Sequence, residues 1–358
     1  MEEIVRQFQI QGAPVALEPF GTGHINRTYH VTCDSGREYT LQRISRVAFH
    51  HPEQLIANIA AVTAYLSRFA GEGEEVLQLV PALDGGFFYV DAQGEYWRLY
   101  EFLSGGICLD QPRSREDFYQ CALAFGRFQE LLADFPADTL YETIPDFHNT
   151  VKRLETFRAV VAADPLGRAA EAEAEIEFCL SREQEGGCLC RMLERGELPL
   201  RVTHNDTKLN NVLLDGESGK ARAVLDLDTV MPGLAVLDFG DAIRFGASTA
   251  AEDERDLSRV SIDLALFETY TEGFLTACGR SLTPQELDCL VLGVKVISLE
   301  LASRFLADHL QGDRYFAIHR PGQNLDRARA QFRLVADVER QWDAMQRIVR
   351  DTAKRHGL

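Results

Sequence analysis

Four side chains near the middle of the chain, Asp206, Lys208, Asn211 and Asp226, combine residue types that point to phosphate chemistry. A carboxamide and two carboxylates are hard oxygen donors, which suit Mg²⁺ better than zinc. A carboxylate that faces a hydroxyl instead of the metal can accept its proton. The ammonium of Lys208, two residues beyond Asp206, can offset negative charge growing on a transferring group. The intervening sequence brings these groups together: residues 212–214 and 221–225 are aliphatic runs around the turn-rich Asp-Gly-Glu-Ser-Gly-Lys, which predicts a β-hairpin. Its entry carries Asn211 and its exit Asp226, with Asp206 five residues upstream of Asn211 in a loop.

A different assignment would make His204, Asp206, Asp226 and Asp228 a metal-hydrolase cluster. No other histidine clusters with His204, and a histidine in such a loop commonly bonds backbone, so this reading ranks lower. If residues 226–228 remain extended, Asp228 shares a face with Asp226 and reaches the metal or the acceptor; its role stays open.

The elements that must position this centre can be read outward from it. Before it, residues 15–44 form two extended runs around a turn that holds Gly21, Gly23, His24 and Asn26, where backbone N–H groups can approach a phosphate. In the second run Tyr39, Leu41 and Arg43 share one face, leaving Arg43 as a cation at a strand end. Residues 52–69 predict a helix with the stripe Leu55, Ile59, Val62 and Leu66. Two strands around Asp-Ala-Gln-Gly then lead to Glu101 and Leu103. From Ser114, capped with Asp117, the period turns helical, with Phe118, Cys121, Phe125, Phe128 and Leu132 on one face. After the hairpin, helices are expected over 257–278, 283–310 and 325–350, the last burying Phe332, Val335, Trp342, Met345 and Val349. The plan is α+β: a small antiparallel-sheet lobe with one helix over residues 1–106, and a larger, mainly helical lobe over 107–358.

Composition narrows the function. With 37 Lys+Arg against 55 Asp+Glu, the formal net charge is −18, which disfavours nucleic acid or an anionic membrane surface as partner. The N-terminus lacks the basic and apolar segments of a signal peptide, and the apolar run 287–306 is broken by Lys295 and Glu300, so a cytoplasmic protein is expected. The eight cysteines have no metal-site spacing and read as buried thiols. His148 reads as a capping or surface residue, and the acidic stretch 169–178 as a solvated helix.

His-Asn-Asp-Thr-Lys-Leu-Asn-Asn at 204–211 resembles the His-x-Asp-x-Lys-x-x-Asn catalytic loop of protein kinases and their small-molecule relatives, the aminoglycoside phosphotransferase and choline kinase superfamily. Val-Leu-Asp-Leu-Asp at 224–228 fits that superfamily's metal motif. Together with Asp-Leu-Asp-Thr-Val-Met-Pro-Gly and Asp-Phe-Gly-Asp-Ala-Ile-Arg, the loop is similar to the N-acetylhexosamine 1-kinases, and the likeness extends to Gly-His-Ile-Asn at 23–26, Leu-Gln-Arg-Ile at 41–44, residues 145–150 and residues 303–316. The resemblance implies a two-lobed protein-kinase-like fold, with Mg²⁺ and with ATP as co-substrate. It implies Asp206 as base, Lys208 near the γ-phosphate, Asn211 and Asp226 as metal ligands, and the turn of Gly21, Gly23, His24 and Asn26 over the phosphates. Arg43 stands where protein kinases have their strand lysine, and the adenine is expected at the backbone of Glu101 to Leu103. Asp238-Phe239-Gly240 spells the protein-kinase metal motif but falls 32 residues after Asp206, whereas Asp226 falls 20 after it; Asp238 or Asp241 suits a bracing role instead. The implied reaction is phosphorylation of the anomeric hydroxyl of an N-acetylhexosamine, with Asp206, Asp228, Phe245, Arg304 and Tyr315 on the acceptor side. An ion pair of Arg304 with Asp308 at i+4 is an equal alternative for that arginine. Another acceptor on the same fold (an aminoglycoside, choline or homoserine) and a nucleotide-binding scaffold without turnover are the rival functions.

Overall fold

The computed structural model describes residues 1–21, 25–71 and 73–358, so the expected roles of Gly23 and His24 lie outside the described residues. Alternating burial drives the first part of the chain into a sheet. Strands β1 (Pro14–Pro19), β2 (Arg27–Cys33), β3 (Glu38–Arg43), β4 (Tyr89–Val90) and β5 (Tyr96–Glu101) lie in the order β1-β2-β3-β5-β4, each pair antiparallel. Val31, Tyr39, Leu41, Trp97 and Leu99 face one side and form a core with Val5 and Phe8. The residues between them, among them Thr28, His30, Gln42, Arg98 and Tyr100, therefore face the other side.

Under that second face lies the helix Pro52–Leu66, whose stripe Leu55, Ile59, Val62 and Leu66 is buried as predicted. It shares a core with Tyr100 from the sheet and with Phe128, Val202, Leu227 and Val230 from the rest of the chain. The helical part is built on Arg115–Leu131, Thr150–Ala163, Ala235–Gly246, Leu264–Cys278, Pro284–Gln311 and Gln323–Arg355. Ser114 and Asp117 form the expected capping box. The helix expected over 257–278 begins only at Leu264, capped by Asp263, because residues 257–259 form a separate single turn.

The acidic stretch is only partly a helix: residues 169–172 make a tight turn, and Cys179, on the helix Glu173–Leu180, is buried. Five cysteines are buried, but Cys188 and Cys190 are half-buried and Cys108 is exposed. Among the described residues no helix is long and apolar enough to cross a membrane.

Gly240 owes its identity to packing. A Cβ there would lie 2.5 Å from the backbone carbonyl of Gly293, and a Cβ on Gly293 would run into the carbonyl of Val236. The helices Ala235–Gly246 and Pro284–Gln311 thus approach backbone to backbone, which presses Asp238 and Asp241 toward the central loop.

Candidate active site

The hairpin forms where the turn chemistry places it, from β8 (Val212–Asp215) and β9 (Ala221–Val224), while β6 (Gly106–Ile107) pairs along β8. Leu225 N–H donates to the Asn211 carbonyl at 2.8 Å, which brings Asn211 and Asp226 side by side. Upstream, β7 (Arg201–Thr203) pairs with β10 (Met231–Gly233) and holds the two ends of the loop region together.

Between these strands the loop is cross-stitched. The His204 ring lies in a cage of Phe125 and Phe128, at 5.2 and 6.0 Å between ring centroids. Its Nε2 donates to the Leu225 carbonyl at 2.8 Å, and its Nδ1 accepts from Asp206 N–H at 3.3 Å. Both ring nitrogens are occupied, so His204 has no lone pair for a metal, and the hydrolase assignment fails on geometry. Asn205 and Asp226 hold left-handed backbone conformations at φ 63° and 54°. Such conformations persist when surrounding bonds over-determine them: Asn205 Nδ2 donates to the Thr229 carbonyl at 2.8 Å, and Thr229 Oγ1 to the His204 carbonyl at 2.6 Å.

The aspartates of the Ala235–Gly246 helix brace this loop. Asp238 accepts from the N–H groups of His204 and Asn205, both at 2.8 Å, and from Gln129 Nε2 at 3.0 Å. Asp241 accepts from Thr207 N–H at 3.0 Å and pairs with Arg244 at 2.7 Å. Burial alone would raise the Asp241 pKa, but the charges of Arg244 and Lys208 outweigh it and hold the carboxyl low.

Asp206 thereby faces the cleft with Lys208 Nζ 2.9 Å from its Oδ1. Burial disfavours the Lys208 charge, yet Asp206 and Asp241 more than compensate and its pKa is raised. Asn211 donates through Nδ2 to the Asp206 carbonyl at 2.8 Å and to its Oδ2 at 3.2 Å, which leaves Asn211 Oδ1 available. Asp226 opens onto the cleft, but desolvation there and the charges of Asp228 and Asp206 push its pKa up to about 6. An amide oxygen with its nitrogen already engaged, beside a carboxylate crowded by negative charge, fits a hard divalent cation. Among the described residues no three His, Cys, Asp or Glu side chains form a metal cage, in keeping with a site that takes its remaining ligands from phosphate or water.

Other expected residues fall elsewhere. Arg43 lies on the Tyr39 and Leu41 side of β3 and pairs with Glu95 at 3.4 Å. The cation under the sheet is Arg98 on β5, opposite Gln42, and it contacts Asp228 at 2.5 Å. Asp228 does not remain extended with Asp226; Leu227–Thr229 is a tight helical turn that rotates it toward the sheet. Asn26 Nδ2 donates to Asp228 at 2.5 Å, so its amide is engaged there. Glu101 N–H goes to Gln78 and Phe102 N–H to Glu38, and among the described residues Leu103 N–H has no protein acceptor. Beside it, the rings of Phe20, His30 and Phe102 cluster at 4.4 to 5.9 Å on the underside of the sheet.

On the helical side, Phe245 lies 5.9 Å from Lys208 Nζ. Arg304 sits over the rings of Phe147, Phe316 and Tyr315 at 5.3, 5.6 and 5.9 Å. The alternative ion pair with Asp308 does not form, because Asp308 accepts from the backbone N–H groups of Arg314, Tyr315 and Phe316. His148 is a connector and not a surface residue: Nδ1 is 2.8 Å from buried Glu300 and Nε2 is 3.4 Å from the Asn205 carbonyl. It ties the Arg304 helix to the central loop. Phe147, His148, Phe316 and Arg98 are residues that sequence reasoning did not assign to the site.

A five-stranded antiparallel sheet over one helix, a helical body, and an Asp-x-Lys-x-x-Asn loop facing a hairpin-exit aspartate define a protein-kinase-like phosphotransferase. Residues 16–270 match the model of the phosphotransferase enzyme family (APH), and the chain belongs to that family. Its fold is shared with a microcompartment-associated aminopropanol kinase (17% identity, 96% of this chain and 97% of that one, TM-score 0.64). It is likewise shared with an amicoumacin kinase solved with AMP-PNP and Ca²⁺ (13%, 92% and 91%, 0.60) and an ethanolamine kinase of Plasmodium vivax (14%, 88% and 82%, 0.57).

Proposed function

We propose that this phosphotransferase moves the γ-phosphoryl group of ATP to the anomeric hydroxyl of an N-acetylhexosamine, N-acetylglucosamine or N-acetylgalactosamine, giving the sugar 1-phosphate and ADP. Residues 1–106 supply the nucleotide side of the cleft and residues 107–358 the catalytic and acceptor side. Asp206 accepts the proton of the attacking hydroxyl as its oxygen bonds to the γ-phosphorus and the bond to the ADP oxygen breaks. An anomeric hydroxyl is more acidic than a simple alcohol, so positioning carries most of the rate. Lys208 offsets charge on the transferring group. Asn211 and Asp226 would hold Mg²⁺, which neutralises phosphate charge when bound. The similarly folded amicoumacin kinase solved in complex with AMP-PNP and Ca²⁺ supports a nucleotide–metal pair as donor. The N–H of Leu103, which has no protein acceptor among the described residues, and the Phe20, His30 and Phe102 rings suit a flat base.

The observation that carries the acceptor class is Arg304. It lies among three aromatic rings and, among the described residues, makes no ion pair, although with His148 its charge helps to hold the carboxyl of buried Glu300 low. Arg153 is close enough for the Arg304 charge, after burial, to lower its pKa. A cationic amino alcohol or aminoglycoside needs acidic or aromatic cages without competing cations, whereas arginine and ring faces suit a neutral polyhydroxylated ring. Phosphate transfer from Mg-ATP to N-acetylglucosamine, N-acetylgalactosamine, ethanolamine and kanamycin, run in parallel, tests this. Turnover of an acetylated sugar with none on the two cations is expected; turnover on a cation alone overturns the acceptor assignment.

A further inference from the structure

We propose that Arg98, Asp228 and Asn26 form a buried tie that sets the start of β2 and the Asp226 turn at a fixed separation, and so position the nucleotide phosphates without touching them. The proposal rests on the phosphotransfer reading above and concerns its donor half.

Arg98 is 1% exposed. A guanidinium so far from water persists only when its donors are matched. Its Nε and one terminal nitrogen donate to Gln42 Oε1 at 2.9 and 2.7 Å. The other terminal nitrogen meets Asp228 at 2.5 Å, and the plane lies over Tyr100 at 5.1 Å. Burial works against its charge, and Asp228 more than restores it. Two of its nitrogens are hydrogen-bonded to Gln42 and the third is ion-paired with Asp228 without hydrogen-bond geometry, so its charge is met inside the protein and Arg98 is a positioning residue.

Asp228 is 4% exposed and spends its second oxygen on Asn26 Nδ2, while Asn26 Oδ1 accepts from Ser45 N–H at 2.9 Å. Two segments therefore meet at the Asp228 carboxylate, β5 through Arg98 and the residue before β2 through Asn26, and Asn26 in turn holds Ser45 just after β3. Asp228 belongs to the single helical turn whose first residue outside it is Asp226, held at φ 54°. Moving Asp228 away from the sheet would move Asp226 with it. In protein kinases the sheet is registered to the phosphate site by a strand lysine paired to a helix glutamate. Here β3 has no lysine, and of the buried polar residues of the helix Pro52–Leu66, Asn58 bonds the backbone of Tyr141 and Val230 and Thr63 bonds its own helix. The register between sheet and metal turn runs directly through Arg98 and Asp228, bypassing the helix.

The test is a double-mutant cycle with Asn26→Ala, Asp228→Asn and the combination, reading the Kd of Mg-AMP-PNP by calorimetry and both KM values. Each single change is expected to weaken nucleotide binding about 10-fold and raise the ATP KM with the acceptor KM unchanged. The double variant should lose little more than the stronger single one, because both cut the same tie. Losses that multiply to about 100-fold, or singles that bind as wild type does, overturn the proposal. If Asp228→Asn does not fold, Asn26→Ala decides, since it leaves the buried ion pair intact: an unchanged Kd rejects the tie. A wild-type chain that binds no nucleotide takes down the phosphotransfer reading itself; wild-type binding with unaffected variants removes the tie alone.

Discussion

Around Asp206 nearly every neighbouring polar group is committed: His204 to Leu225, Asn205 to Asp238 and Thr229, Thr207 to Asp241, Asn211 to Asp206. Around Arg304 the contacts are faces of rings, and one of those rings, Tyr315, is 69% exposed. The first region is built from directional bonds between buried groups, so it can hold one geometry to fractions of an ångström. The second is built from dispersion and ring electrostatics, which tolerate sliding. Such a division suits a small-molecule kinase that must place the transferring group tightly while its acceptor side tolerates variation. It also explains how members of one family can share a catalytic loop and differ in acceptor, since the wall can change without disturbing the loop.

The contrast predicts its largest effect at the base. Asp206→Ala should lower kcat by about 10²- to 10⁴-fold while leaving the melting temperature near that of wild type, because among the described residues the side chain bonds only Lys208 and Asn211. Steady-state turnover with ATP and the best acceptor measures this. A variant that keeps near wild-type kcat would break the assignment of the first region.

The two regions were also unequally legible in the sequence. The loop, the hairpin and the bracing aspartates are encoded at short range: a spacing of five from Asp206 to Asn211, turn residues between aliphatic runs, and Asp238 and Asp241 one helical turn apart. The surroundings of Arg304, proposed above as the acceptor wall, depend on partners far away in sequence. His148 meets Glu300 across 152 positions, and no periodicity announces such a pair. Asp308 looked available to Arg304 at i+4, but a loop with three backbone N–H groups claimed it, since an aligned cluster of amides satisfies a buried carboxylate better than one mobile cation. Arg98 left a readable signal, a lone cation inside the otherwise apolar or aromatic run Tyr-Trp-Arg-Leu-Tyr that precedes Glu101. Arg43 drew the assignment because its strand aligned with a kinase motif, yet strand alternation puts it with Leu41, on the side of the sheet away from Asp228.

A smaller effect should separate the regions kinetically. Arg304→Ala removes the cation from three ring faces and should raise the acceptor KM by about 10-fold, equivalent to about 1.4 kcal/mol, with the ATP KM unchanged. Arg304→Lys should fall between, since a lysine keeps charge but loses the planar face. An equal shift in both KM values would show that the wall and the loop are not independent.

The smallest effect concerns stability and sharpens the picture of Asp226. Its folded pKa of about 6 lies above the usual carboxylate range because burial and the charges of Asp228 and Asp206 oppose ionisation. From about pH 4 to about pH 6 the folded chain therefore holds a proton that the unfolded chain has released. Stability contributed by this group is present at low pH and falls as pH rises through that window. At neutral pH the ionised carboxylate strains the metal-free site, so Asp226→Asn should melt slightly higher than wild type in the absence of divalent cation. The difference should fade as pH is lowered to about 4, and added salt should shrink the part of it that comes from the charges of Asp228 and Asp206. Mg-AMP-PNP should reverse the order by stabilising the wild type while leaving the variant almost unmoved. Melting curves across pH, with and without Mg-AMP-PNP, decide the matter: a metal-free wild type more stable than Asp226→Asn at pH 7 would mean that the crowding of carboxylates at this turn is already relieved within the protein.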